Sequence, residues 1–311
     1  MTAANAQGKA RGGQIRRLIG KSREFRNPER RLAYYMVLPT LLIILAVAFY
    51  PVADSIWLSL HQATLTVTGP FVGFKNYSLM FQDPNFQQAL MNTIVFTVAS
   101  VTIEFVVGFA IALALNRPFK GRGLVRAVVL IPWVLPTVIS AVMWRLMLQD
   151  QIGVLSYAAH ALDLVHQPIL LNRTSLIITA VLVDTWQTTP FIALLLLAGL
   201  QTIPGDVYEA AKVDGANALQ RFLRIMLPLL KPTILVAILF RTLDAYRVYD
   251  LFYGMANRQL ESLSTYVYEG VRISQLQFAT GNAAAAFIFV TAFLVAFFFI
   301  KVLGMRTATE E

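Results

Sequence analysis

Six long apolar stretches divide this chain of 311 residues. An α-helix needs about 20 consecutive apolar residues to cross the hydrocarbon core of a bilayer, and within lipid it satisfies its own backbone hydrogen bonds. The stretches are Tyr34–Ser59, Ala89–Leu115, Val125–Leu148, Ser175–Leu200, Thr233–Tyr253 and Ala279–Leu303. The sequence therefore predicts an all-α, polytopic membrane protein with six transmembrane helices.

The composition agrees with this prediction. Hydrophobic residues make up 57% of the chain, charged residues only 14%, and the mean hydropathy is +0.62. Soluble domains carry about 25% charged residues, so a chain of one or two soluble domains is excluded. The first stretch is too long for a secretory signal peptide and lacks a small-residue cleavage site, so we expect it to remain as a span.

The distribution of Lys and Arg predicts the orientation. Residues 1–33 hold nine of them, 116–126 and 201–231 hold four each, and the C-terminal end holds two. By the positive-inside rule, both termini then face the cytoplasm. The predicted parts are a basic cytoplasmic tail, 1–33, a transmembrane domain, 34–303, with a cytoplasmic loop at 201–232, and a cytoplasmic end, 304–311. We expect the tail to lie on anionic lipid headgroups rather than to bind nucleic acid.

Several kinds of site are absent from the sequence. There are no cysteines, which excludes thiol catalysis, and the three histidines lie in loops without the spacing of metal ligands. The letters GKS at Gly20–Ser22 suggest a phosphate-binding loop, but Ile15 stands where that motif requires glycine. We therefore expect a non-catalytic chain without a metal or a nucleotide of its own.

A polar segment, EAAKVDGANALQRFLRIMLPLLKP, separates the fourth and fifth apolar stretches. Pro204 ends the preceding helix, and Asp206 with Glu209 three residues later resembles a capping box at the start of a short helix. Gly215 predicts the end of that helix. Apolar residues at helical spacing predict a second short helix over 218–226, and the prolines at 228 and 232 predict a turn into the fifth span.

Two interpretations of this segment remain open. It is either a solvated linker that packs on its own bundle or a surface that another protein binds. Small Ala210 and Ala211 allow close approach of another surface. The segment is also longer and more preorganised than a plain linker between spans usually is. These features favour a binding surface.

Charged residues inside the predicted spans are costly in lipid and usually functional. The candidates for a substrate path are Glu104, Asp184, and a series at i, i+3 spacing in the fifth span: Arg241, Asp244, Arg247 and Asp250. The series alternates in sign, so each member has an oppositely charged neighbour on the helix surface. It is either a self-neutralising ladder or part of a substrate path. Glu104 and Asp184 either join helices or line that path.

Longer motifs resemble those of a known family. The letters EAA, then Gly215, then IMLP and KP are similar to the cytoplasmic signature of permease subunits of bacterial type I ABC importers. The segments FVGFKNYSLMF, LNRPFKGRGLVRAVVLIPWVLP and TWQTTPFIALLLLAGLQTIPGDVYEAAKVDGA resemble the maltose-type carbohydrate permeases, in particular trehalose or maltose importers of actinobacteria. One departure follows Tyr253, where GMANRQLES replaces the usual LTxGGP.

The resemblance implies a transport subunit of the bacterial plasma membrane that is not itself an enzyme. Its six-helix core would pair with a second permease subunit and receive a carbohydrate from an extracytoplasmic solute-binding protein. The polar segment would be a coupling helix that docks on an ABC ATPase dimer, which binds the ATP and Mg. The coupling residues would be Glu209, Ala210, Ala211, Asp214 and Gly215.

The resemblance also implies a sugar pocket. Its residues would be Gln187, Thr188 and Phe191 in the fourth span and Asp244 and Arg247 in the fifth, where the family has amides. Polar groups would bind sugar hydroxyls, and aromatic rings, with Tyr246 and Tyr249 nearby, would pack on the C–H faces. In this hypothesis Arg247 holds the charge of Asp244 in place.

Alternatives to a disaccharide importer remain open. A related importer would carry a polyol or glycerol phosphate, although an anion would favour a net positive pocket. An ion-coupled secondary carrier would show paired repeats with broken helices. The chain has no second copy of the loop motif, and a membrane enzyme would need a catalytic constellation that is not seen here.

Overall fold

The computed structural model describes residues 28–164, 166–256, 259–274 and 277–301. Most of the predicted tail 1–33, including the GKS letters, and the predicted end 304–311 lie outside the described residues. The chain divides into two units, of which the first ends at Trp57 and the second begins at Leu58. The described part of the first unit consists of α1 (Pro28–Ile44), a π-helical turn (Leu45–Phe49) and most of α2 (Tyr50–Ser59). These segments form the helical span Leu32–Ser59.

The second unit is almost entirely helical in its described part. A short antiparallel hairpin, β1 (His61–Ala63) and β2 (Thr68–Phe71), precedes its helices and pairs His61 with Phe71. The helices in chain order are α3 (Lys75–Gln82), α4 (Pro84–Asn116), α5 (Arg122–Val134), α6 (Thr137–Leu148), α7 (Val154–Ala161), α8 (Arg173–Gln201), α9 (Gly205–Val213), α10 (Ala218–Arg221), α11 (Leu227–Tyr246), α12 (Asp250–Ala256), α13 (Leu263–Tyr268) and α14 (Phe278–Lys301).

The number of candidate spans matches the prediction. Among the described residues, five helices are individually long and apolar enough to cross a membrane, and a bent pair makes a sixth span when it counts as one. That pair is α5 and α6, which meet at 87°. The single helix predicted over Val125–Leu148 is therefore wrong. Pro136 lacks a backbone N–H and disfavours helical geometry at Leu135, so the helix breaks there.

The fifth span also differs from its prediction. The helix is continuous from Ala218 to Tyr246, over 29 residues, and contains a π-helical turn (Phe222–Met226). The predicted turn at Pro228 is wrong because that proline occupies the first turn of α11, just after the π-helical turn, where the helix tolerates it. The helix ends at Tyr246 instead of Tyr253, and α12 begins at Asp250.

The core of the second unit lies around α4 and α8. One buried cluster joins Phe96 of α4 to Leu176 and Val183 of α8 and to Phe252 of α12. Small residues bring the helices close together, as is common within membranes. A Cβ on Gly199 of α8 would lie 2.7 Å from the hydroxyl oxygen of Thr233 on α11. Helix α8 therefore packs closely against both α4 and α11, and this packing sets the positions of the charged side chains described next.

Candidate functional site

A buried ionic cluster joins three helices of the second unit. Arg241 of α11 donates from Nε to Oε2 of Glu104 on α4 at 2.5 Å, and from Nη2 to Oε1 at 3.0 Å. The same Nη2 also donates to Oδ2 of Asp184 on α8. Arg241 is 2% exposed, Glu104 0% and Asp184 6%. One guanidinium thus bridges two carboxylates that are almost fully removed from solvent.

The third carboxylate of the cluster is exposed. Nη1 of Arg241 donates to Oδ2 of Asp244 at 2.7 Å, and the Asp244 side chain is 71% exposed. The predicted pairing of Asp244 with Arg247 is therefore wrong. Arg247 caps the end of α11, is exposed, and donates from Nε to the carbonyl oxygen of Leu243. The helix ends before Arg247, so the series that includes Asp250 does not form one ladder on one helix.

Thr188 lies between the buried cluster and the cavity described below. Its hydroxyl lies 2.7 Å from Oε1 of Glu104 and 2.7 Å from the carbonyl oxygen of Asp184. A hydroxyl has one proton, so it donates to one of these oxygens at a time. The Thr188 hydroxyl therefore donates either to the carboxylate of Glu104 or to the backbone carbonyl of Asp184 on its own helix.

A cavity of about 390 Å³ opens beside the cluster. Its polar lining comes from Thr188, Arg241, Asp244 and Arg247, and its apolar lining from Trp133, Phe191, Phe240 and Leu243. Trp133 of α5 and Phe191 of α8 stack with ring centroids 5.7 Å apart and ring planes 21° apart. A narrower cavity of about 150 Å³ adjoins the same cluster and includes Asp184, Tyr249 and Asp250 in its lining.

The structure brings four of the predicted pocket residues to the larger cavity: Thr188, Phe191, Asp244 and Arg247. Gln187 lines neither cavity and is 3% exposed. Its Nε2 donates to the carbonyl oxygen of Leu135 at 2.9 Å. That carbonyl lies at the break between α5 and α6, where backbone hydrogen bonds within the helix are lost. The Gln187 side chain supplies a hydrogen bond in their place. The role of all five residues in substrate binding stays a prediction.

Sequence reasoning missed Trp133 and Phe240. The signal for Trp133 was its position between Pro132 and Pro136, because a helix broken at membrane depth usually lines a cavity. No such signal marked Phe240. Of the two tyrosines predicted near the pocket, Tyr249 lines the narrower cavity, whereas the Tyr246 hydroxyl forms a hydrogen bond with Thr291 of α14 at 2.6 Å.

The polar segment forms a short helix, α9, that is capped only at its C-terminal end by a tight turn. The residue before α9 is Pro204, and no side-chain capping bond is present, so the predicted capping box at Asp206 is wrong. At the other end, the N–H of Ala216 donates to the carbonyl of Ala211 at 2.9 Å, and Gly215 has φ +78°. This Schellman motif needs a left-handed residue after the helix, which explains the glycine.

The next helix begins at once with a second cap. The backbone N–H of Gln220 donates to Oδ1 of Asn217 at 2.8 Å, and the N–H of Asn217 donates back to Oε1 of Gln220 at 2.8 Å. This capping box starts the continuous helix that ends beside the cavity. The turn between α9 and α10 is therefore specified at both of its ends.

Four of the five predicted coupling residues are exposed: Glu209, Ala210, Asp214 and Gly215. Ala211 is buried at 7% exposure and faces its own unit. Val213, between them in sequence, is 88% exposed although it is apolar. Within the described residues the Glu209 carboxylate has no ion-pair partner, so an acidic and an apolar group project together from α9.

Comparison with known protein families and proteins gives matches that cover most of the chain. The family described as binding-protein-dependent transport system inner membrane component matches residues 104–309. One relative is the trehalose/maltose transport system permease protein MalF of Thermococcus litoralis, 38% identical over 86% of this chain and 93% of that protein. Another is the trehalose transport system permease protein SugA of Mycobacterium tuberculosis, 39% identical over 92% of this chain and 93% of that protein.

The fold matches a solved structure as well. A chain of a bacterial ABC transporter involved in the import of the acidic polysaccharide alginate superposes with a TM-score of 0.75 at 26% identity, over 92% of this chain and 99% of that one. The predicted fold, the helical core of a type I ABC importer permease, is confirmed. The chain belongs to the family of binding-protein-dependent transport system inner membrane components.

Proposed function

We propose that this chain is a transmembrane subunit of an ATP-driven importer that moves a neutral carbohydrate, a disaccharide such as trehalose or maltose, across the plasma membrane. The observation that carries the proposal is the cavity between α5, α8 and α11, with an aromatic wall and a polar wall. The permeases named for trehalose and maltose transport among the relatives support the class of substrate.

The aromatic wall and the polar wall suit the two kinds of surface that a sugar presents. A pyranose ring presents C–H groups on its faces and hydroxyls at its edge, so it packs on aromatic rings and exchanges hydrogen bonds with polar groups. Trp133, Phe191 and Phe240 supply the aromatic surface. Asp244 accepts hydrogen bonds from hydroxyls, and Arg247 donates them. In this account the substrate binds between α5 and α11.

The coupling role of α9 follows from its connection to the cavity. Helix α9 docks on a partner ATPase through Glu209, Ala210, Asp214 and Gly215, and Ala211 supports it from behind. ATP-driven closure of the ATPase pair moves α9 as a rigid body. The helix from Ala218 to Tyr246 spans about 43 Å at 1.5 Å per residue, so it carries this movement directly to Arg241 and Asp244.

The remaining assembly follows the same proposal. A second permease subunit completes the transmembrane pathway, an ABC ATPase dimer binds ATP and Mg, and an extracytoplasmic solute-binding protein delivers the carbohydrate. In this proposal the chain itself needs no cofactor or metal and binds no nucleic acid. Both termini and α9 face the cytoplasm, with the basic tail on anionic lipid.

Uptake measurements on cells that lack this chain test the proposal. Deletion should abolish ATP-dependent uptake of labelled trehalose or maltose, and the wild-type chain should restore it. Uptake of glycerol phosphate or a polyol, with none of either disaccharide, would replace the proposed substrate class by the alternative one. Unchanged uptake of all these compounds after deletion would contradict an importer role for them.

A further inference from the structure

The charges beside the larger cavity are not balanced. Among the described residues, three carboxylates, those of Glu104, Asp184 and Asp244, accept hydrogen bonds from Arg241. Arg247, which lines the same cavity, is the second guanidinium beside them, so three carboxylates lie near two cations. Two of these carboxylates lie behind Arg241 and are almost fully buried. The buried pair accepts the hydrogen bonds from Nε and Nη2 of the guanidinium, so only Nη1 donates to Asp244.

Asp244 is consequently a negative group that faces the cavity. Its Oδ2 accepts a hydrogen bond from Nη1 of Arg241, and its side chain, 71% exposed, lines the cavity. Arg247 also lines the cavity, and its Nε donates to the carbonyl of Leu243 at the negative end of the α11 dipole, which offsets part of its charge. Asp250 adds a further carboxylate to the adjoining narrower cavity.

We infer that Asp244 is a specificity-determining residue that rejects acidic sugars, and that Arg241 is the positioning residue that fixes the Asp244 carboxylate at the cavity wall. The inference rests on the proposed function, because it concerns which carbohydrates the cavity binds. An acidic sugar would place a second carboxylate beside that of Asp244, and like charges placed side by side disfavour binding. A neutral sugar meets no such repulsion and uses Asp244 as a hydrogen-bond acceptor.

Equilibrium binding to the purified, complete membrane complex, without the solute-binding protein, tests the inference. The probes are radiolabelled trehalose and, as competitor, unlabelled trehalose or its mono-uronic acid, in which one CH₂OH group is replaced by a carboxylate. The wild-type complex should bind the acid at least about tenfold more weakly than trehalose. Asp244→Asn should reduce this ratio to about threefold or less, because the amide keeps the shape and removes the charge.

A matched control separates Asp244 from the general charge of the protein. Asp206→Asn makes the same change on α9, at an exposed aspartate that lines neither cavity, and should leave the ratio at its wild-type value. The inference is overturned if the wild-type complex binds the acid as tightly as trehalose. It is equally overturned if Asp244→Asn leaves the ratio unchanged, or if Asp206→Asn lowers it as much.

The positioning role of Arg241 has its own test. Arg241→Lys keeps the positive charge but cannot bridge three carboxylates with one planar group, so trehalose should bind about tenfold more weakly while the acid is still rejected. In the Asp244→Asn background the same change should weaken binding by about twofold or less, since the only carboxylate of the cluster that Arg241 holds at the cavity wall is then gone. Equal losses in both backgrounds would assign Arg241 a merely structural role.

The outcomes also distinguish this inference from the proposed function. A wild-type complex that neither binds nor imports any neutral disaccharide would contradict the proposed function itself. A complex that binds trehalose but shows no dependence of the acid-to-neutral ratio on Asp244 would leave the proposed function intact and contradict only the charge-based specificity.

Discussion

Arg241 and Glu104 form a two-point ion pair between α11 and α4, with Nε 2.5 Å from Oε2 and Nη2 3.0 Å from Oε1. The two residues are separated by 137 positions in the chain, and neither is exposed by more than 2%. Such a pair holds two helices at a fixed distance, since removal of either member leaves a buried charge with fewer partners. The same arginine also contacts the cavity, so helix packing and the candidate substrate site share one residue.

Glu104→Ala should lower the stability of the assembled complex. Arg241 would lose a bidentate partner in a buried site, at a cost of about 3 kcal/mol. Glu104→Gln keeps an acceptor of the same shape and should cost less. The apparent melting temperature of the purified complex measures both effects. Equal melting temperatures for wild type and Glu104→Ala would show that the pair does not stabilise the bundle.

Gln187→Leu should destabilise the break between α5 and α6. The change removes the donor that Gln187 supplies to the Leu135 carbonyl at 2.9 Å, and loss of such a bond costs about 1–2 kcal/mol. The control is Thr185→Val on the same helix, because the buried Thr185 hydroxyl has no hydrogen-bond partner among the described residues. Thermal unfolding should be lowered by the first change and nearly unaffected by the second. Equal effects would contradict the role given to Gln187.

How much of this site the sequence could predict depends on the range of the contacts involved. The apolar runs predicted the spans, and the end of α9 at Gly215 was predicted because caps depend on neighbouring residues. The pairing of Arg241 with Glu104 was not predictable, because i, i+3 spacing describes only neighbours along one helix. The same spacing suggested an Asp244–Arg247 pair, although α11 ends at Tyr246.

Gly215→Val and Glu209→Lys should uncouple the transporter. A β-branched side chain at φ +78° costs about 1–2 kcal/mol and displaces the turn, although no atom lies within 4 Å of the added Cβ. Charge reversal at Glu209 acts instead at the docking surface. Uptake should fall by at least about tenfold in both variants, whereas binding of sugar to the solute-binding protein should be unchanged.

Gly205→Ala is the control for these variants, since Gly205 is also in α9 and a Cβ there meets nothing within 4 Å. It should transport at the wild-type rate. Wild-type uptake by both Gly215→Val and Glu209→Lys would make α9 a linker rather than a coupling helix.

Cysteine labelling tests the orientation, because the chain has no cysteine of its own. Val213→Cys on α9 should be protected from an impermeant thiol reagent in intact cells, and Phe74→Cys, just before α3, should react. Both native side chains are well exposed, at 88% and 77%, whereas the neighbouring Asn76 is buried and unsuitable. A cysteine near Lys9 in the basic tail should be protected as well. Reaction of Val213→Cys from outside would reverse the topology and exclude docking of α9 on a cytoplasmic ATPase.

The aromatic wall of the larger cavity gives the most direct test of the proposed sugar site. Trp133→Ala removes the ring that stacks on Phe191, whereas the control Trp186→Ala removes a ring on α8 that contacts Trp144 and lines neither cavity. The measurement is ATP-dependent uptake of labelled trehalose or maltose into proteoliposomes that hold equal amounts of assembled complex. Uptake should fall by at least about tenfold in Trp133→Ala, consistent with about 1.4 kcal/mol or more of lost stacking, and by less than threefold in the control. Wild-type uptake by Trp133→Ala would contradict the assignment of this cavity as the carbohydrate site.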